Sequence, residues 1–153
     1  MNGLKLLART PIVPDTMVLL RMLSSKSPYV DVLERIKEEC YHIAFSTPMR
    51  REWKTKAYAE GMPASIVFRK LEELDQLKKL RKCNKTRVDK AQKLVDQEKC
   101  KKPKDKDDVK FVIVALAEQA TILTEDWGLL NLDPYKCANT ALRIKTPSDF
   151  LKS

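Results

Sequence analysis

The sequence predicts a three-layer α/β/α fold around a parallel sheet of four or five strands. Short apolar or β-branched runs alternate with stretches of helical spacing, an order that calls for parallel strands covered on both faces. Four acids, Asp15, Glu52, Asp108 and Asp126, each stand at the edge of an apolar segment, far apart in the chain. In such a sheet the carboxyl ends of the central strands meet at one crevice, so these acids would converge.

Each element has a local reason. Pro11 to Pro14 is a short extended run ending at Asp15, and Met17 to Leu23 continues as a helix. Leu33, Ile36 and Cys40 recur at helical spacing, which makes Pro28 to Cys40 a second helix. His42 to Phe45 is short and apolar enough for a buried strand. Thr47-Pro48 then reads as a helix start, a hydroxyl cap followed by proline at the first helical position. Glu52 thereby falls in the second turn.

Gly61-Met62-Pro63 breaks the chain. Val67, Leu71, Leu74, Leu77 and Leu80 form one apolar stripe, and Val88, Ala91, Leu94 and Val95 form another. Two amphipathic helices packed as a hairpin, inserted at about 64–104, account for both stripes. Pro103 and its lysines mark a loop, and Asp107-Asp108 opens the next helix, where unpaired N–H groups favour carboxylates. Thr121 to Thr124 is a strand with Asp126 just beyond it. Ala141 to Ile144 is a last strand, and Thr146-Pro147-Ser148-Asp149 starts a terminal helix. There are no internal repeats and no Gly/Ser linkers, so residues 1–153 are expected to form a single domain.

Composition narrows the function classes. At 153 residues and 43% hydrophobic, the chain can bury a full core. No apolar run approaches the roughly 20 residues that cross a bilayer. The N-terminus lacks a signal-peptide pattern, so a cytoplasmic protein with no membrane partner is expected. Cys40, Cys83, Cys100 and Cys137 form no C-x-x-C pair and there is one histidine, which argues against zinc and favours buried free thiols. The charge of +9 is uneven: Lys78 to Lys106 holds thirteen Lys or Arg against four Asp or Glu, and the remainder is neutral. A block of that kind attracts polyanions, nucleic acid above all, although a solvated helix face would look the same.

Five segments taken together resemble the PIN domain, a metal-dependent ribonuclease family with members among toxins of toxin–antitoxin pairs and RNA-processing enzymes. They are Ile12-Val13-Pro14-Asp15-Thr16-Met17-Val18-Leu19-Leu20, Ser46-Thr47-Pro48-Met49-Arg50-Arg51-Glu52-Trp53, Asp108-Val109-Lys110-Phe111-Val112-Ile113-Val114-Ala115-Leu116-Ala117, Ile122-Leu123-Thr124-Glu125-Asp126 and Ile144-Lys145-Thr146-Pro147-Ser148-Asp149-Phe150-Leu151. The likeness spans nearly the whole chain, least in Ala64 to Lys104. It implies an acidic pocket holding Mg²⁺ or Mn²⁺, with Asp15, Glu52, Asp108 and Asp126 as metal-binding and catalytic carboxylates. Thr124 is the hydroxyl residue beside the last acid. Phe111 and Ala115 favour Asp108 over Asp107 as the matching position. Pro14 before Asp15, and Met17 where many relatives carry Asn, depart from the pattern.

The function that follows is hydrolysis of phosphodiester bonds in single-stranded RNA by an endoribonuclease. Hard cations prefer all-oxygen ligands, and unpaired RNA can enter a narrow pocket. Arg50, Arg51, Arg81, Lys82, Lys85 and Arg87 are candidate phosphate contacts, although Arg50 and Arg51 could equally pair with acids of their own helix. Trp53 and Trp127 are expected in the core and His42 in a structural role. An antitoxin protein and a homodimer are the implied partners. The alternative is a non-catalytic PIN-like module that binds RNA or protein; a DNA-directed flap nuclease usually needs a longer chain and more acids.

Overall fold

The computed structural model describes residues 10–24, 28–59, 61–97, 102–132 and 142–153, and the backbone of 136–137 and 140–141. Strands β1 (Ile12–Pro14), β2 (Ile43–Phe45), β3 (Leu80–Lys82) and β4 (Thr121–Leu123) alternate with helices. The helices are α1 (Thr16–Leu23), α2 (Tyr29–Glu38), α3 (Thr47–Ala59), α4 (Ala64–Gln76), α5 (Lys85–Asp96) and α6 (Val109–Glu118). Then follow α7 (Trp127–Leu130), a small antiparallel pair β5 (Lys136–Cys137) and β6 (Thr140–Ala141), β7 (Arg143–Lys145) and α8 (Pro147–Lys152). Among the described residues no helix is long and apolar enough to cross a membrane.

Five strands form one parallel sheet in the order β3-β2-β1-β4-β7. The chain steps from β1 to β2 to β3 in one direction and then returns to β4 on the other side of β1. Right-handed crossovers in opposite directions place their helices on opposite faces. Accordingly α1 packs against α2, α3 and α4, while α5 packs against α6, which covers β1, β2 and β4. The three-layer expectation is met, with five strands.

The core follows from composition. β1, β2 and β4 are buried along their whole length, as central parallel strands must be. Helix α6 is buried at every position from Phe111 to Leu116, because the sheet lies on one side and α5 on the other. Each such aliphatic or aromatic side chain contributes about 1.5–3 kcal/mol through removal from water.

Pro14 has a local consequence. The Ile12 N–H donates to His42 O, just before β2, and in a parallel ladder the residue two further on would donate the same way. Proline has no N–H to give. The β1–β2 register is accordingly Ile12↔Ile43, whereas β1–β4 continues through Pro14↔Leu123.

The expected basic helical hairpin is not formed. The segment is helix–strand–helix: Leu80 to Lys82 pairs with β2 as the sheet's edge, and α4 and α5 pack in different layers. Leu77 is half exposed (51%), so the apolar stripe ends at Leu74. A charged edge strand such as β3 discourages further pairing and carries little local strand signal. Of the cysteines, Cys83 is a buried free thiol pushed up to about 12, first by burial and then by Glu118. Cys40 is exposed, contrary to expectation; the side chains of Cys100 and Cys137 lie outside the described residues.

Candidate functional site

The switch point of the sheet lies between β1 and β4, where connections leave in opposite directions, and a crevice opens there outside the strand ends. Asp15 follows β1 and caps α1: its Oδ1 accepts the Val18 N–H at 2.8 Å. Its Oδ2 accepts the hydroxyl of Thr124, the residue after β4, and that same hydroxyl oxygen accepts the Asp126 N–H at 3.0 Å. The Asp15 N–H donates to Leu123 O at 2.9 Å. Thr124 is fully buried, so it locks two strand ends and two acids into one unit. Burial raises the Asp15 carboxyl above its usual range, partly offset by the bonds from Thr124 and Val18.

Asp108 reaches the same cavity from the start of α6. A 3-10 turn over Lys106–Asp108 precedes the helix, and Asp105 caps that turn by accepting the Asp107 N–H at 2.9 Å. Asp108 occupies the cap position of α6, and Asp126 that of α7, yet neither side chain makes a capping bond. Both carboxyls are therefore left for each other. Asp108 is pushed up to about 7 by burial first, then by a hydrogen bond with Asp126 and by the charges of Asp126, Asp105 and Asp15. Two carboxylates in contact cannot both ionise freely, and a shared proton or a cation relieves them.

The resulting cavity, about 330 Å³, is lined by Asp15, Thr16, Met17, Glu52, Lys56, Asp105, Asp107, Asp108, Phe111 and Asp126. All four acids singled out from the sequence line it, although each lies at least 18 positions from the next along the chain. Glu52 differs from the other three. It accepts the Thr16 hydroxyl, and the Lys110 ammonium stands 2.6 Å from its Oε2. Lys110 also donates to the Asp107 carbonyl. Sequence reasoning missed Lys110 and Asp105 and set Asp107 aside in favour of Asp108; the Asp108-Val109-Lys110 spacing carries no signal, since the pairing is set by how α6 and α3 dock.

The basic candidates divide. Arg50 and Arg51 lie on the side of α3 away from the acids and line a second cavity with Lys82. Arg50 stacks over the Phe45 ring at 5.5 Å. Arg87 pairs with Glu118 at 3.3 Å, and Lys85 begins α5 on the other face of the sheet, next to exposed Arg81 and Lys82 of β3. Trp53 is fully buried as expected, but Trp127, next to Asp126, is 74% exposed and lies outside the core. His42 is buried and its imidazole is held below the usual range, chiefly by burial.

The oxygen donors suit a hard divalent cation: carboxylates and a hydroxyl line the cavity with no thiol or imidazole, beside the Met17 thioether and the Lys56 ammonium. The Asp108 and Asp15 carboxyls are raised first by burial and then by neighbouring acids, and a cation would relieve both costs. Among the described residues, however, no three acid, His or Cys side chains stand together as a ready-made ligand group. The donors fit in kind, and binding would have to draw them closer.

Gly128 is a second residue without sequence signal. A Cβ added there would lie 3.1 Å from Asp126 Oδ2, tight enough that the carboxyl must shift by a few tenths of an ångström. Gly128→Ala is expected to lower any activity or cation affinity of the cavity by about ten- to a hundredfold. Alanine is the better helix former, so the melting temperature should hold or rise. A parallel loss of stability would mean that the glycine serves folding and not the acid.

No protein-family model and no curated protein matches the sequence. Among solved structures the chain is similar to VapBC2 from Rickettsia felis bound to a DNA fragment from their promoter. The TM-score is 0.56 and the identity 15%, and the match covers 89% of this chain and 98% of that one. At that identity the likeness is one of fold, and it supports the PIN-like three-layer arrangement.

Proposed function

We propose that the chain is a Mg²⁺- or Mn²⁺-dependent endoribonuclease that hydrolyses phosphodiester bonds of single-stranded RNA. The observation that carries this reading is the crowding of Asp15, Asp108 and Asp126 at the switch point, with Asp108 pushed up to about 7. Structural acids are spread apart or paired with cations; acids held against one another at a sheet's switch point suit a site that receives charge.

Asp15, Asp108 and Asp126 would hold the cation, and Thr124 and the Val18 N–H keep Asp15 aimed into the cavity. A bound Mg²⁺ or Mn²⁺ supplies polarisation of a phosphoryl oxygen and eases deprotonation of water near neutral pH. Glu52, steadied by Thr16 and Lys110, would complete the acidic shell and orient the attacking water through its carboxylate. Lys56 lines the cavity and offers its ammonium to a phosphate oxygen. Burial keeps competing solvent off Asp15, while Asp108 and Glu52 are half-buried and Asp126 is exposed at the mouth of the cavity.

A toxin with an antitoxin partner, or an RNA-processing nuclease, are the two settings for this activity; the fold likeness to VapBC2 supports the first. The exposed Tyr58, Ile66 and Phe68 on α3 and α4 support a homodimer or a protein partner on that side. The missing ready-made ligand group favours one rival reading, a PIN-like module that binds RNA or protein without cleaving.

Cleavage of a labelled single-stranded RNA with Mn²⁺ and with EDTA tests the proposal. Metal-dependent cleavage is expected, and Mn²⁺ should raise the melting temperature by binding the folded form selectively. No cleavage and no thermal shift would leave the binding module as the better account.

A further inference from the structure

We propose that the basic cavity between α3 and the end of β3 is a phosphate-binding subsite for the RNA strand cleaved at the acidic cavity, an inference that rests on the nuclease reading above. The cavity, about 320 Å³, is lined by Phe45, Thr47, Arg50, Arg51, Lys54 and Lys82. Four cationic side chains share it and no carboxylate lines it. Among the described residues, Arg51, Lys54 and Lys82 have no ion-pair partner.

Glu72 and Asp75 share a neighbouring cavity with Arg50 and Lys54 but not with Arg51 and Lys82, and an oxyanion that reaches several of the four cations relieves their mutual repulsion. Phosphate is the matching chemistry, because guanidinium forks meet its oxygens in pairs and ammonium groups add charge. Thr47 begins a 13-residue helix, whose unpaired N–H groups and dipole favour the same anion. The Phe45 ring, with Arg50 over it, gives the cavity an apolar floor beside its charges.

Position ties this cavity to the acidic one. Phe45 and Lys82 are the last residues of β2 and β3, while Asp15 and Thr124 directly follow β1 and β4. All four strands are parallel, so both cavities open on the same edge, two strand spacings or roughly 10 Å apart. Helix α3 stands between them: Glu52 and Lys56 face the acids, and Arg50, Arg51 and Lys54 face the basic cavity. A strand lying across the first turns of α3 places one phosphate at the acids and a neighbouring one among the cations. The cations thereby set the register of the scissile bond, with no demand on base identity.

The seated phosphate is either an internal diester or a terminal monoester. The test uses the Asp108→Asn protein, so that RNA is bound and not consumed. A short 3′-labelled single-stranded RNA, carrying a 5′-phosphate or a 5′-hydroxyl, is titrated at several salt concentrations and followed by anisotropy. Adding Arg51→Gln and Lys82→Gln should weaken binding about tenfold and make the salt dependence shallower by about one unit of slope or more. Lys90→Gln, on an exposed position of α5, should change far less. All three residues are exposed, and unchanged melting temperatures would show that folding is kept.

A loss confined to the 5′-phosphorylated strand assigns the cavity to a chain end; an equal loss on both assigns it to an internal diester. Affinity and salt slope unchanged by the double substitution, or altered no more than by Lys90→Gln, overturn the subsite. The readout is binding and not cleavage. Weakened binding, where the wild-type protein cleaves no RNA, would sink the nuclease reading alone, and wild-type cleavage with binding unchanged by the double substitution would sink the subsite alone.

Discussion

Asp108→Asn should abolish metal-dependent cleavage while leaving a folded and, at neutral pH, more stable protein. An amide cannot replace the carboxylate as a hard-cation ligand. The several kcal/mol of transition-state stabilisation that a cation supplies would be lost, a rate decrease on the order of a thousandfold or more. Stability moves the other way because burial first, and the neighbouring acids second, disfavour the ionised carboxyl. The Asp108 carboxyl has an ordinary value near 3.8 and rises to about 7 in the fold. A group raised in this way favours the folded state most at pH below its ordinary value, and the benefit is lost as pH rises through about 7. Metal-free wild type should therefore lose stability between about pH 4 and pH 7 from this group. The asparagine variant, neutral throughout, should lack that slope and exceed wild type above pH 7. Urea midpoints at both ends of the range, measured in EDTA, check the sign. Full cleavage activity in the variant would refute the assignment of Asp108, and identical pH slopes would refute the raised Asp108 carboxyl.

Trp53→Ala should be the most damaging core substitution, costing about 3–5 kcal/mol. Trp53 is fully buried on α3, with its ring 5.5 Å from that of Phe45 on β2. Truncation would leave a cavity under the helix that carries Glu52 on one side and Arg50 and Arg51 on the other. Both cavities should lose definition with the helix, so RNA binding and any cleavage fall together. Trp53→Phe should cost much less, under about 1.5 kcal/mol, because most of the packing is kept. It also removes an indole N–H that has no hydrogen-bond partner among the described residues. Thermal or urea unfolding of the two variants separates volume from polarity. Equal destabilisation would show that the indole N–H matters after all.

Much of the site was legible because its acids occupy positions with local meaning. Asp15, Asp108 and Asp126 come directly before or after apolar runs, and each precedes a helix, so helix-start chemistry and strand ends mark them together. Thr124 was legible for the same reason, as the residue after a β-branched run. Lys110, Gly128 and Asp105 were not. Lys110 matters because α6 docks beside α3, 58 residues earlier in the chain at Glu52. Gly128 matters because it lies two residues from a carboxyl that needs room. No local pattern distinguishes either from an ordinary surface lysine or helix-start glycine.

The segment from Ala64 to Lys104 shows the same division in the fold. Leu74, Leu77 and Leu80 continue a helical spacing, and the periodicity by itself extends α4 through them. The chain instead turns at Lys78, which takes a left-handed conformation (φ 59°), and Leu80 enters the sheet beside β2. That exchange is decided by hydrogen bonds to a strand more than thirty residues away, such as Ile43 N–H to Lys79 O and Cys83 N–H to Phe45 O.

From its sequence alone this protein determined a parallel α/β sheet, the ends of its central strands and the acids placed there. Those features rest on periodicity, capping and burial, which act between neighbours in the chain. The tertiary structure decided which carboxyls touch, which lysine balances Glu52, and that the arginines of α3 face a separate basic cavity. Charge interactions depend on distance in space and on exclusion of water, and neither exists until the layers have packed.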